Sequence, residues 1–261
     1  MPRPPTAAAL ADELERRLRT HAHPERALAE ARYLKSELAF LGTGVPAARA
    51  VARGFQREHT LTRPRLLALV RALWAPQQAR PLHERRVVAV ELLTGSRALL
   101  EPRDLALVER LIRDSRSWAY VDALATGVAA ALVEREPALT GQLDRWARDP
   151  DFWVRRAAML ALLPPLRAGR GDFARFARYA DAMLDEREFF IRKAIGWVLR
   201  ETAKRRPELV YTWLAPRAAR ASGVTLREAM RYLSDEQRGE LLRGRPGRRA
   251  AAPAVPIEAG G

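Results

Sequence analysis

Apolar residues recur at intervals of three and four along nearly the whole chain, and period-two runs rich in Val, Ile and Thr do not occur. This pattern predicts helices throughout and no strand. Proline and glycine mark the breaks, at Pro24, Gly42 to Pro46, Pro64, Pro76 to Pro81, Gly95, Pro102, Pro137, Pro150, Pro164 to Gly171, Pro207 and Pro216 to Gly223. They divide the chain into roughly a dozen short helices joined by short turns.

A repeat appears when similar segments are stacked. DFWVRRAAMLAL begins at Asp151 and EFFIRKAIGWVL begins 37 residues later, at Glu188. LREAMRYL places Arg227 35 residues after Arg192, and ERRVVAVELL places Arg85 70 residues, two such periods, before Arg155. A helical period in the middle thirties predicts an all-α solenoid of antiparallel helix pairs, each burying its apolar face against its neighbours and together curving around a concave surface. Each repeat carries an Arg-Arg, Arg-Lys or Arg-Glu pair at one helical position, so stacking is expected to line these charges into a basic stripe. Residues 1–243 read as a single domain. The stretch 244–261, GRPGRRAAAPAVPIEAGG, loses the periodicity and reads as a disordered basic tail, with Arg245, Arg248 and Arg249 as non-specific phosphate contacts at most.

Helical wheels sort the helices further. From Ile191 to Lys204 the apolar set Ile191, Ala194, Ile195, Val198 and Thr202 forms the core stripe, and Lys193, Trp197, Arg200 and Lys204 project from the other side. A tryptophan among cations suggests nucleic-acid contact rather than core. In SWAYVDALATGVAAALVER the core stripe is Val121, Leu124, Val128 and Leu132, and Trp118 and Asp122 stand one turn apart on its flank. By spacing alone Asp122 is a surface carboxylate or an ion-pair partner of a nearby arginine, and Trp118 a rim residue. In DFWVRRAAML the set Trp153, Ala157, Leu160 and Ala161 faces inward, leaving Arg155 and Arg156 on the exposed side as candidate phosphate ligands.

Composition sharpens the partner. A formal charge of +15 favours a polyanion, although only Lys35, Lys193 and Lys204 are lysines among 46 basic residues, so Arg and Ala richness also fits a GC-rich coding bias. With no cysteine, disulfides, thiolate nucleophiles and zinc–cysteine sites are excluded. His21, His23, His59 and His83 make no metal-ligand spacing, so neither metal nor cofactor is expected. The N-terminus carries charge before any apolar run long enough for a secretion signal, and no stretch approaches a membrane span, so cytoplasmic residence is expected.

At these residues the chain resembles the AlkD-type family of DNA alkylation-repair glycosylases, built from HEAT-like helical repeats. The likeness runs from about Glu25 to Leu233, through EARYLKSELAFLGTGVPAAR, RALW, SWAYVDALA, FWVRRAAML and FFIRKAIGWVLRETAK. The resemblance implies a basic concave cleft for duplex DNA, with Trp118, Asp122, Arg156 and Trp197 at the active site and Tyr33 at its edge. It also implies excision of cationic N3- and N7-alkylated purines without base flipping, by a monomer needing no protein partner. Relatives lacking the Trp and Asp are thought to bind DNA without excising bases, and both residues are present here. Asp122 would stabilise oxocarbenium-like charge on the sugar and position water, while Trp118 and Trp197 lie against the backbone. Arg156, Arg155, Arg192, Lys193, Arg200 and Lys204 would contact phosphates. The alternative is a HEAT-type protein that recognises DNA without catalysis; a protein-interaction module is a third reading.

Overall fold

The computed structural model describes residues 5–75 and 80–243. The expected tail at 244–261 and part of the Pro76 to Pro81 break lie outside the described residues. The chain is all-helical, as its periodicity predicts, and among the described residues β-type pairing is confined to one isolated parallel bridge, Ala39 with Leu82. No helix among them is long and apolar enough to cross a membrane.

Two compact units meet the eye, Met1–Pro164 and Pro165–Gly261, with the division falling inside the short helix α11 (Leu163–Arg167). In the first unit α1 (Ala7–Arg19), α3 (Val45–Glu58), α4 (Arg63–Trp74) and α5 (His83–Gly95) pack on one another, with α2 (Pro24–Leu34) as an outlying helix that buries no residue fully. They are followed by α6 (Leu105–Ser115), α7 (Trp118–Ala123), a π-helical turn (Leu124–Ala129), α8 (Ala130–Arg135), α9 (Thr140–Trp146) and α10 (Phe152–Ala161). The second unit contains α12 (Phe173–Met183), α13 (Phe189–Ala203), α14 (Pro207–Leu214), α15 (Gly223–Ala229) and α16 (Asp235–Arg243), with α13 against α14 and α15.

The matching segments begin at matching caps. Asp151 accepts from the Trp153 amide at 2.8 Å and Glu188 from the Phe190 amide at 3.1 Å, each satisfying a backbone donor that the first helical turn leaves unpaired. The expected core stripes are buried: Val121, Leu124, Val128 and Leu132 in the first unit, and Ile191, Ala194, Ile195, Val198 and Thr202 in the second.

Several polar contacts span a similar interval. Within the first unit Arg156 meets Asp122 34 residues away, Arg113 meets Asp149 at 36 and Trp146 meets Glu109 at 37. Within the second, Arg217 meets Asp181 at 36 and Arg220 meets Asp185 at 35. These separations are close to the interval at which the similar segments recur, while other ion pairs depart from it, Arg63 with Asp104 at 41 and Arg49 with Glu91 at 42.

One expectation needs correction. The wheel places Arg156 on an exposed face, but the residue is 3% exposed, because α10 is covered by α6, α7 and the π-helical turn as well as by α9. The Arg-Arg positions therefore do not form an open stripe of free charge. The first member anchors the loop before its helix: Arg155 Nη1 donates to the carbonyls of Asp149 (2.6 Å) and Pro150 (2.9 Å), and Arg192 Nε to that of Glu186 (2.7 Å). The second reaches across, Arg156 to Asp122 and Lys193 to Glu228. Arg85 and Arg86 are buried as well, Arg85 on Glu15 at 2.6 Å and Arg86 on the Asp114 carbonyl at 3.2 Å.

Candidate functional site

In the first unit the site is built on α7. Ser117 caps this helix by accepting from the Ala119 amide, which starts the helix at Trp118 and places Asp122 one turn on. After Ala123 the helix widens into the π-helical turn, and the Thr126 hydroxyl donates to the Asp122 carbonyl at 2.7 Å. Such turns insert an extra residue into the helical ladder and often mark functional positions.

Asp122 accepts two hydrogen bonds from one guanidinium, from Arg156 Nε to Oδ1 and from Nη2 to Oδ2, both 2.7 Å. The fork fixes the carboxylate plane as well as its position. Asp122 keeps 19% of its side chain accessible. The ion-pair reading of Asp122 thus holds, one repeat period away from its partner.

Tyr33, in the last turn of α2, is 73% exposed and stands edge-on to Trp118, with ring centroids 6.0 Å apart and planes at 90°. Both rings line a cavity of about 380 Å³ whose wall includes Glu30, His83, Glu91 and Tyr120. What holds Tyr33 there is a loop fastened to α5. The buried Glu84 carboxylate accepts from the Leu41, Gly42 and Thr43 amides, and the His83 amide donates to the Ala39 carbonyl at 2.9 Å. Gly42 is required, since it sits at φ +73 and a Cβ there would lie 2.3 Å from the His23 carbonyl oxygen.

The cavity floor is a coupled aromatic group. His83 stacks on Phe40 at 4.5 Å, and its Nδ1 lies 2.5 Å from the Tyr120 hydroxyl. Burial, with the Arg86 charge adding to it, lowers the His83 pKa to about 4. Burial pushes the Tyr120 phenol upward, so the tyrosine keeps its proton beside a neutral imidazole. Burial, reinforced by the Glu84 charge, also raises the Glu30 carboxyl.

Trp197 lies on α13 in the second unit and is half-buried. Its position depends on Gly196, where a Cβ would come within 2.7 Å of Glu228 Cβ and 3.0 Å of the Thr225 carbonyl oxygen, so only glycine lets α15 approach this closely. Lys193 and Arg200 both pair with Glu228, and Lys204 pairs with Glu201 at 2.7 Å and lies over the Tyr232 ring. These cations keep part of their surface in solvent, but each has a carboxylate partner.

Glu13, Glu58 and His59 approach one another closely enough to share a cation, yet Arg17 already bridges the two carboxylates. The resemblance puts Tyr33 at the edge of the site that holds Trp118, 85 positions away, and the two rings do meet, whereas the burial of His83 and Glu84 had no signal in the sequence.

A family model described as DNA alkylation repair enzyme matches residues 14–233. The chain belongs to this family. Membership in a DNA alkylation repair family implies DNA binding, and the resemblance read from the sequence is thereby established. Among solved structures the fold is shared with a predicted DNA alkylation repair enzyme from Enterococcus faecalis, at TM-score 0.72 and 22% identity over 82% of this chain and 98% of that one. AlkD2 from Streptococcus mutans is a more distant likeness, at TM-score 0.55 and 16% identity over 73% of this chain and 91% of its own. No curated protein is matched. At these identities the structural likenesses establish the fold alone.

Proposed function

We propose that this DNA alkylation repair family member is an N-glycosylase that releases cationic N3- and N7-alkylated purines from duplex DNA without flipping the base, acting as a cytoplasmic monomer. Residues 1–243 are proposed to serve as one functional domain. The observation that carries the reading is the placement of Asp122: one turn from Trp118, the ring that meets Tyr33 edge-on, with its two oxygens held by the Arg156 fork.

The chemistry asks little acid catalysis of the protein. A purine alkylated at N3 or N7 already carries positive charge and departs as a neutral base, so no strong proton donor is needed. As the glycosidic bond lengthens, positive charge grows on the deoxyribose, and a carboxylate beside it favours that state. A bare unit charge at ~4 Å with an effective dielectric of ~20 would contribute ~4 kcal/mol. Because Asp122 is paired with Arg156, the pair acts more as an oriented dipole and contributes less than that. Holding the attacking water is then the larger share of its work. Trp118 presents an electron-rich face to the cationic sugar, an attraction of roughly 0.5–2 kcal/mol.

Arg156 is proposed as the residue that positions Asp122. Arg155, together with Trp197, Arg192, Lys193, Arg200 and Lys204 of the second unit, is proposed to contact the duplex independently of sequence.

A second reading, a non-catalytic duplex binder, draws on the fact that Asp122 already has a protein partner. Asp122→Asn tests the first. Base release from methylated duplex is expected to fall at least ~100-fold while duplex affinity changes little, as for loss of an interaction made only in the transition state. A wild type that binds the methylated duplex but releases no base would favour the second reading, and unchanged release by the variant would remove Asp122 from the chemistry.

A further inference from the structure

Beside the aromatic cavity lies a second one of about 550 Å³, lined by residues 34–38, 113–117 and Arg86. The same two chain segments build both. Tyr33 and Trp118 face the first cavity, Leu34 faces both, and Lys35, Arg116 and Ser117 face the second. Lys35 and Arg116 share an unusual backbone. Each ends a helix in the left-handed conformation, at φ 47 and φ 44, and they are the non-glycine residues of positive φ among those described. Glycine is the residue preferred at such caps, and here a long cation stands at both.

Neither side chain has an ion-pair or hydrogen-bond partner among the described residues, in a protein where many cations are paired. Arg86, 9% exposed, adds a buried guanidinium whose Nε finds no acceptor. Glu37 and Asp114 also line the cavity, and Arg113 is already committed to Glu109 and Asp149. Lys35, Arg86 and Arg116 therefore outnumber the two carboxylates, and Ser36 and Ser117 bring hydroxyl groups to the wall.

We propose that this basic cavity holds a phosphodiester of the bound strand, the one adjoining the nucleotide that lies against Tyr33 and Trp118. The inference rests on the DNA reading above and gives it a register. A single residue separates the aromatic from the cationic position on each segment, so sugar and phosphate are recognised side by side by one pair of chain segments. Phosphate contacts of this kind fix where a strand lies without reading its sequence.

The test is the double variant Lys35→Gly, Arg116→Gly, which removes both cations and suits both left-handed caps. Its melting temperature is expected to equal or exceed that of the wild type. Its affinity for unmodified duplex at low salt is expected to fall roughly tenfold, and the slope of log K against log salt to lessen by about 1. If melting drops sharply, Lys35→Asn with Arg116→Asn serves in its place, since asparagine tolerates the same backbone. A folded variant with wild-type affinity and slope overturns the proposal and leaves the glycosylase reading standing. A wild type that binds no duplex overturns both. Inorganic phosphate distinguishes the remaining source: if it stabilises the wild type but not the variant while the DNA slope is unchanged, the cavity is a free-phosphate site and the proposal fails.

Discussion

Removing Asp122 would leave the Arg156 guanidinium, 3% exposed, without the two oxygens that accept its Nε–H and Nη2–H. Asparagine keeps one acceptor, so Asp122→Asn should fold. Arg156→Ala strands a half-buried carboxylate and opens a cavity, and denaturant unfolding should show a loss of about 3 kcal/mol. Arg156→Lys offers a point charge in place of a fork and should slow base release while leaving the protein better folded than Arg156→Ala. His83 makes a separate prediction. With its pKa lowered to about 4 in the fold against 6.5 ordinarily, the unfolded chain binds a proton that the native state refuses. That difference is absent above pH 6.5, grows as pH falls, and is complete near pH 4. Stability should therefore decline by roughly 3 kcal/mol across this window, and His83→Gln should flatten the decline in thermal melts. The identities of Trp118, Asp122 and Arg156 as a group were legible in the sequence, and so was the ion pair as one option for Asp122. The burial of Arg156 was not, because a helical wheel assigns one covered face and a helix inside a stack of repeats has more.

Single helices show how close packing places these residues. Gly196→Ala would drive a methyl into Glu228 Cβ and the Thr225 backbone, neither of which can yield without shifting α15 against α13. A destabilisation of about 2 kcal/mol is expected, read by denaturant unfolding, despite the better helix propensity of alanine. The stripes from Val121 to Leu132 and from Ile191 to Thr202 followed directly from residue type and spacing. The π-helical turn after Asp122 did not, since no local signal separates it from an ordinary helix carrying Thr126 and Gly127. The left-handed caps at Lys35 and Arg116 were hidden for the opposite reason, because their residue types argue against that backbone.

For the molecule as a whole, arginines tie distant parts of the chain together, several of them, such as Arg156 to Asp122 at 34 and Arg217 to Asp181 at 36, near the interval at which similar segments recur. Much of the arginine content is explained by this role, which tempers what +15 says about DNA. The excess charge still predicts strongly salt-dependent duplex binding, and a steep fall in affinity between ~50 and ~200 mM salt is expected in a titration with unmodified DNA. What periodicity could not supply was the union of Tyr33 with Trp118, a contact made by tertiary packing of α2 through the loop that Glu84 fastens. The most direct measurement is incubation of the protein with duplex DNA carrying 7-methylguanine or 3-methyladenine, followed by detection of free base and of the abasic site left behind. The account predicts both products from at least one lesion, and their absence from both substrates would contradict it.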